Sequence, residues 1–180
     1  MKIIDISKHN GIIDFDKVKA SGKVDGVMIR SSWGHFREDE QFKRNVSECE
    51  RLNIPYGFYH YSYACNYSEM VQEAKELINL IKDYKPLLPV AIDMEDADGY
   101  KSKMGTLNNI TLNTEICRYT CAELEKAGFY VMVYANLDWT KTKLNMSMLA
   151  PYDLWLARWN ANSPSRKCGM WQYTNSASVN

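Results

Sequence analysis

Strand-like apolar runs alternate with stretches of helical periodicity in this chain, and no other feature limits its fold so tightly. The strand-like runs occupy residues 3–7, 26–32, 55–63, 88–95, 130–136, 153–159 and 170–174. Between them, Met70, Val71, Ala74, Leu77, Ile78 and Ile81 recur at the spacing of a helix laid on a sheet. Ile116, Cys117, Thr120, Cys121 and Leu124 repeat the pattern, and Gly128 follows where a left-handed C-cap is wanted. Two more helices are predicted over 14–21, ending before Gly22, and over 40–53, running up to Pro55. Strict alternation of strand and helix implies right-handed crossovers and a parallel sheet, and strands this apolar must be covered. Past residue 136 the helical periodicity weakens. No Gly-rich phosphate loop follows the first strand, which argues against a nucleotide fold. An α/β fold, an irregular (β/α) barrel in a single domain over residues 1–180, fits these patterns better than an open doubly wound sheet.

Composition narrows the function classes. Lys plus Arg and Asp plus Glu number 22 each, so the chain lacks the basic footprint of a nucleic-acid binder and has no charge to draw it to an anionic membrane. No apolar run nears the roughly 20 residues needed to cross a bilayer. Asp5 interrupts the first apolar stretch, so the N-terminus does not read as a signal peptide, and the chain is expected to be made in a cytoplasm. The five cysteines form no Cys-x-x-Cys pair and read as reduced, mostly buried thiols.

The candidate chemistry sits in Val90-Ala91-Ile92-Asp93-Met94-Glu95. Alternate side chains of an extended strand share a face, so Asp93 and Glu95 project together while Met94 points away. Two acids side by side do not both ionise cheaply; one is raised and becomes able to act as a general acid near neutral pH. In parallel barrels the active site gathers at the C-terminal strand ends. Here those ends supply Asp5, Arg30, Tyr61, Asp93, Glu95, Tyr134, Trp159 and Gln172. Aromatic rings flanking acids suit the apolar faces and hydroxyls of sugars. Arg30 reads equally as holding a cleft carboxylate or as packing, and Tyr61, Tyr134 and Trp159 as sugar contacts or as barrel filler. His60 lies among Tyr59, Tyr61 and Tyr63 and reads as a hydrogen-bonded core histidine. The loop over 96–109 is the longest polar stretch and a candidate cleft wall or lid.

These segments resemble glycoside hydrolase family 25, the N-acetylmuramidases of the phage endolysin and Chalaropsis type. The resemblance rests on Asp5-Ile6-Ser7-Lys8-His9-Asn10-Gly11, Val27-Met28-Ile29-Arg30-Ser31-Ser32-Trp33-Gly34, Gly57-Phe58-Tyr59-His60-Tyr61, Ile92-Asp93-Met94-Glu95, Tyr134-Ala135-Asn136, Leu154-Trp155-Leu156-Ala157-Arg158-Trp159 and Trp171-Gln172-Tyr173-Thr174, seven matches in order. It implies a flattened, TIM-like barrel of about five β/α units plus extra C-terminal strands. It further implies cleavage of the β-1,4 bond from N-acetylmuramic acid to N-acetylglucosamine in bacterial peptidoglycan, with Glu95 as proton donor and Asp5 and Asp93 in support. No cofactor or metal is implied, the oligomeric state stays open, and the enzyme would act on the wall after release from the cell. Family members continue into a final segment carrying another acid. Residues 175–180 carry none, so the domain is expected to be cut short at its last strand, with any wall-binding module beyond residue 180.

Chemistry separates the possible routes. Retaining glycosidases that use a protein nucleophile hold their carboxyls about 5–5.5 Å apart across the sugar. Residues i and i+2 of one strand stand about 6.5–7 Å apart on one side of it. The spacing therefore favours attack by the substrate's own 2-acetamido oxygen, with Asp93 orienting the amide; inversion through a water activated by Asp5 competes. Two rival functions remain at this stage. One is a metal-dependent phosphodiesterase binding Mg²⁺ or Ca²⁺ through Asp5, Asp93, Glu95 and His60; the other is a non-catalytic glycan-binding barrel.

Overall fold

The computed structural model describes residues 1–176. Its strands are β1 (Ile3–Ile6), β2 (Gly26–Trp33), β3 (Arg37–Glu38), β4 (Tyr56–Tyr61), β5 (Val90–Asp93), β6 (Val131–Asn136), β7 (Asp153–Ala157) and β8 (Met170–Gln172). The helices are α1 (Phe15–Ala20), α2 (Phe42–Arg51), α3 (Tyr67–Ile81), α4 (Tyr100–Lys103), α5 (Ile110–Lys126) and α6 (Trp139–Thr142). Side-chain caps start three of the long crossovers: Asp14, Asn66 and Asn109 accept from the amides of Lys17, Glu69 and Leu112. Gly128, at φ +90°, follows α5 where the chain must turn left-handed.

Strands β1, β2, β4, β5, β6, β7 and β8 lie side by side in that order, all parallel, and the sheet curls into a half-barrel. The parallel α/β sheet read from the sequence is thus observed. Alternation divides each strand between two layers. Val27, Ile29, Phe58, Val90, Ile92, Val131 and Val133 face outward and pack with Leu77, Ile81, Cys117, Cys121 and Leu124 of the helices. Met28, Ala91, Met132, Tyr134 and Trp155 fill the concave side. The five cysteines are unpaired, with Cys49, Cys117 and Cys121 buried.

Three features lie outside the sequence reading. Gly34 and Phe36, both at positive φ, turn the chain so that β3 pairs antiparallel with β2 before α2 begins. The loop over 96–109 contains α4, whose Lys101 is fully buried with its Nζ donating to Ala64 O at 2.7 Å. Asp96 accepts the amides of Lys101 and Ser102 at the start of that turn. Between β1 and β8, finally, no backbone ladder closes the barrel among the described residues. A groove of about 1300 Å³ opens there, with Ile3, Ile4, Ile13, Met132 and Met170 along it. No helix among the described residues is long and apolar enough to cross a membrane.

Candidate active site

The C-terminal ends of β1, β5, β6 and β8 converge on one cleft. Asp93 closes β5 and stands in register with Tyr61 of β4 on one side and Tyr134 of β6 on the other. The ladder continues one step further, Met94 N donating to Tyr134 O at 3.0 Å. Extended geometry therefore persists past the strand. Met94 is buried in the outer core, while Asp93 and Glu95 face the concave side. The cleft encloses about 180 Å³ between Asp5, Tyr59, Asp93, Glu95, Tyr134, Trp155 and Gln172.

Gln172 organises one wall. Its Oε1 accepts from Tyr134 Oη at 3.1 Å and from Trp159 Nε1 at 2.8 Å, which turns its Nε2 to donate to Asp5 Oδ2 at 3.1 Å. Asp5 and Gln172 lie 167 residues apart, and this side-chain bond spans the otherwise open seam. Trp159 remains 45 % exposed and Tyr134 is buried. Tyr61 stands at the rim: its hydroxyl donates to Asp98 Oδ1 at 3.1 Å and accepts from Ala97 N at 3.0 Å. Tyr63 also bonds Asp98 and stacks on Tyr100 at 4.3 Å. The polar loop is thus pinned as a wall. Arg30 is buried, with its Nε donating to Asp39 Oδ2 at 2.7 Å, so the carboxylate it holds lies outside the cleft lining. Tyr59 and Trp155 line the cleft although the sequence reading did not single them out. The signal was there in the alternation: each stands inward, beside Ala91 and Tyr134 respectively.

His60 serves the core. Its Nδ1 meets Ser32 Oγ at 2.8 Å and its Nε2 lies 3.4 Å from Glu73 Oε2. Glu73 also accepts from Ser62 Oγ at 2.6 Å and from Tyr63 N at 3.0 Å. Burial pushes the Glu73 carboxyl up, but the bonds from His60, Ser62 and the Tyr63 amide outweigh it, and the pKa falls below 4.5. A depressed carboxylate stabilises above its unfolded pKa and loses that contribution as pH falls. Urea unfolding of Glu73→Gln should show a loss of about 2 kcal/mol at neutral pH. The gap to wild type should shrink as pH drops through and below 4.5. A gap independent of pH would show that Glu73 stabilises by shape alone.

The cleft carboxyls shift the opposite way. Asp5 is raised by burial, partly offset by the Gln172 bond. Glu95 is raised by burial and then by Asp98, Asp5 and Asp96. Asp93 is raised well above its ordinary value, by burial and then by Glu95 and Asp5, with Arg30 as the opposing charge. The sequence predicts that Asp93 and a cleft wall both raise Glu95. In the folded chain burial does so first, followed by Asp98, Asp5 and Asp96, while the repulsion within the pair falls on Asp93. Asp93 Oδ1 is also buried with no hydrogen-bond partner. Ionising such a group costs stability at neutral pH, so Asp93→Asn should raise thermal stability there by about 1 kcal/mol while removing activity. A melting temperature unchanged or lowered at pH 7 would contradict the raised pKa. Among the described residues no group of three or more His, Cys, Asp or Glu is disposed to hold a metal ion.

The family model for glycosyl hydrolases family 25 matches residues 4–180. The chain belongs to that family. Over 182 residues it is 30 % identical to an autolytic lysozyme of Clostridium acetobutylicum, a match covering 100 % of this chain and 52 % of the relative. Among solved structures, the modular autolysin LytC of Streptococcus pneumoniae in complex with a synthetic peptidoglycan ligand superposes with a TM-score of 0.85 at 32 % identity. That match covers 98 % of this chain and 43 % of LytC. The CTP1L endolysin superposes at 0.81 with 26 % identity, covering 99 % of this chain and 62 % of the other. The family 25 chain described here thus spans about half the length of the curated relative it matches.

Proposed function

We propose that this family 25 domain hydrolyses the β-1,4 bond between N-acetylmuramic acid and N-acetylglucosamine of bacterial peptidoglycan, and so acts at the cell wall. Glu95 is the general acid. The observation that carries the reading is the pairing of Asp93 and Glu95 on one side of a cleft, with Asp93 Oδ1 buried and unpartnered. A relative named as a lysozyme and another solved with a peptidoglycan ligand support the substrate class.

The route that fits this arrangement uses the substrate's acetamido group. In the empty cleft the proton belongs to the Asp93–Glu95 pair rather than to either acid, and burial favours keeping it on Asp93. An acetamido N–H donating to the vacant Oδ1 of Asp93 stabilises the carboxylate form. The proton then resides on Glu95, the more exposed of the two, facing the glycosidic oxygen. Substrate binding thereby arms the general acid. As Glu95 protonates the leaving oxygen, the acetamido oxygen attacks carbon 1, and the resulting ring opens to water activated by the Glu95 carboxylate. Asp5, held by Gln172, stabilises positive charge developing on the sugar. Trp159 and Tyr134 supply apolar faces beside it.

The test is digestion of purified peptidoglycan, with products reduced by borohydride and read by mass spectrometry, and the first-formed anomer read by proton NMR. The expected products carry muramic acid at the reducing end with net retention at carbon 1. Reducing-end glucosamine would overturn the bond assignment, and net inversion would overturn the acetamido route in favour of a water activated by Asp5.

A further inference from the structure

The Arg30–Asp39 ion pair lies outside the cleft lining, yet it is the best-anchored charge near the acids. Asp39 is 2 % exposed and each of its polar atoms is engaged. Its Oδ2 accepts from Arg30 Nε at 2.7 Å and from the Lys8 amide at 3.0 Å, and its Oδ1 accepts from the Gln41 amide at 3.0 Å. Its own N–H donates to Ser31 O at 2.9 Å, and its carbonyl accepts from Phe42 N at 2.9 Å. One side chain therefore ties together three places: Arg30 on β2, the turn that follows the Asp5 strand, and the start of α2.

Arg30 is held by one edge only. Its Cζ lies 4.9 Å from the centre of the Trp33 ring, and its Nη2 is buried without a partner. Asp93 lies two strands across and two residues along from Arg30: Arg30 is in register with Tyr59, Tyr59 with Ala91, and Asp93 follows. That offset is about 10 Å across the sheet and about 7 Å along it, and the curl of the sheet brings the two ends closer. Both side chains are inward-facing on the concave side. Each presents an unpartnered buried atom, Nη2 on one and Oδ1 on the other.

We propose that Asp39 is a positioning residue that restrains Arg30, so that the guanidinium lies beside Asp93 as a nearby charge without pairing with it. The distinction matters chemically. A two-pronged guanidinium–carboxylate pair would occupy both oxygens of Asp93 and fix it as the anion, leaving no lone pair free for a substrate amide. A guanidinium held away offsets part of the cost of ionising Asp93 and keeps Oδ1 open. The titratable groups within reach of the Asp93 charge are Glu95 beyond its own strand, Asp5 from β1, Arg30 from β2, Tyr59 and Tyr61 from β4, Tyr134 from β6 and the Cys117 thiol from α5. Arg30 is the one cation in that set, so where it is held governs the balance.

The inference rests on Asp93 being one of the reacting acids, and its test reads Asp93 directly. The Asp93 carboxyl is titrated by carbon-13 NMR, with its resonance assigned from Asp93→Asn, in wild type, Asp39→Asn, Arg30→Met and the double variant. Asp39→Asn frees the guanidinium and should move the Asp93 midpoint down, with kcat falling about 10- to 100-fold and KM little changed. Arg30→Met should move the midpoint up. The double variant should match Arg30→Met, since Asp39 acts through Arg30. A midpoint unmoved by Asp39→Asn, or one that moves equally in the Arg30→Met background, overturns the proposal. If Asp39→Asn alone does not fold, Arg30→Met and Arg30→Lys decide: the lysine should hold the midpoint nearer wild type than the methionine, and identical midpoints in all three overturn it. The titration does not depend on turnover. A wild type that leaves peptidoglycan intact would overturn the hydrolase reading while the Asp93 midpoints still judge this one.

Discussion

Glu95→Gln should lower turnover on peptidoglycan by about 10²- to 10⁴-fold, the usual contribution of a positioned general acid. Glutamine keeps the volume and both heavy-atom positions but has no proton to give to the leaving oxygen. The fold should tolerate the change, because Glu95 lies past the end of β5 and its carboxyl is raised by burial and by Asp98, Asp5 and Asp96. Removing that charge relieves repulsion, so the melting temperature at neutral pH should hold or rise. Mass spectrometry of reduced digests gives the rate and calorimetry gives the stability. Residual turnover within about fivefold of wild type would move the acid role to Asp93. The pH profile offers a second check. The group that must stay protonated has a raised pKa, so activity should persist above the ordinary carboxylate range and fall on its alkaline side.

Gly57→Ala should destabilise the domain by about 3 kcal/mol, near the upper end for overpacking. A Cβ at this position would lie 2.4 Å from Pro89 O, 2.8 Å from Leu88 Cβ and 2.8 Å from Met28 Sδ. The methionine can move; the carbonyl cannot. Pro89 O accepts the Phe58 amide at 3.0 Å in the ladder joining β4 to β5, so displacing it breaks the register that presents Asp93. Activity should fall with stability, and chemical denaturation measures the loss. A loss below about 1 kcal/mol would mean the sheet can spread at this point without strain. Gly57 stands in the Gly-x-Tyr-His run that contributed to the family resemblance, and the close approach of β5 is the physical reason for a glycine there.

Where one strand or helix decides the matter, the sequence sufficed. The i, i+2 acids face one side and Met94 the other because extended backbone alternates, and the folded chain has both acids in the cleft and Met94 in the outer core. Of the α3 stripe, Met70, Ala74, Leu77 and Ile81 are buried as the periodicity requires, Ile78 is half-buried, and Val71 at the edge of the stripe is exposed. The turn at Gly128 follows from its freedom at positive φ. His60 carried no paired partner in the sequence and is a core residue bonded to Ser32 and Glu73.

What the sequence left open lies between elements distant in the chain. Glu73 gave no sign that it would anchor β4, because its partners His60, Ser62 and Tyr63 lie at and just past the end of that strand, on the far side of the turn into α3. The polar loop over 96–109 read as a cleft wall or lid. It is pinned as a wall by Lys101 under Ala64 and by Asp98 between Tyr61 and Tyr63, contacts that exist only once β4 and β5 are adjacent. Arg30 read equally as holding a cleft carboxylate or as packing, but not as the partner of Asp39, which a tight turn and a two-residue strand bring back beside it. Local alternation and periodicity, set by backbone geometry, thus determined from the sequence alone the parallel α/β architecture and which acids share a face. The protonation order of those acids, the clamp from Gln172 to Asp5 and the seam between β1 and β8 were decided only by tertiary structure, because burial and charge proximity depend on which distant segments meet.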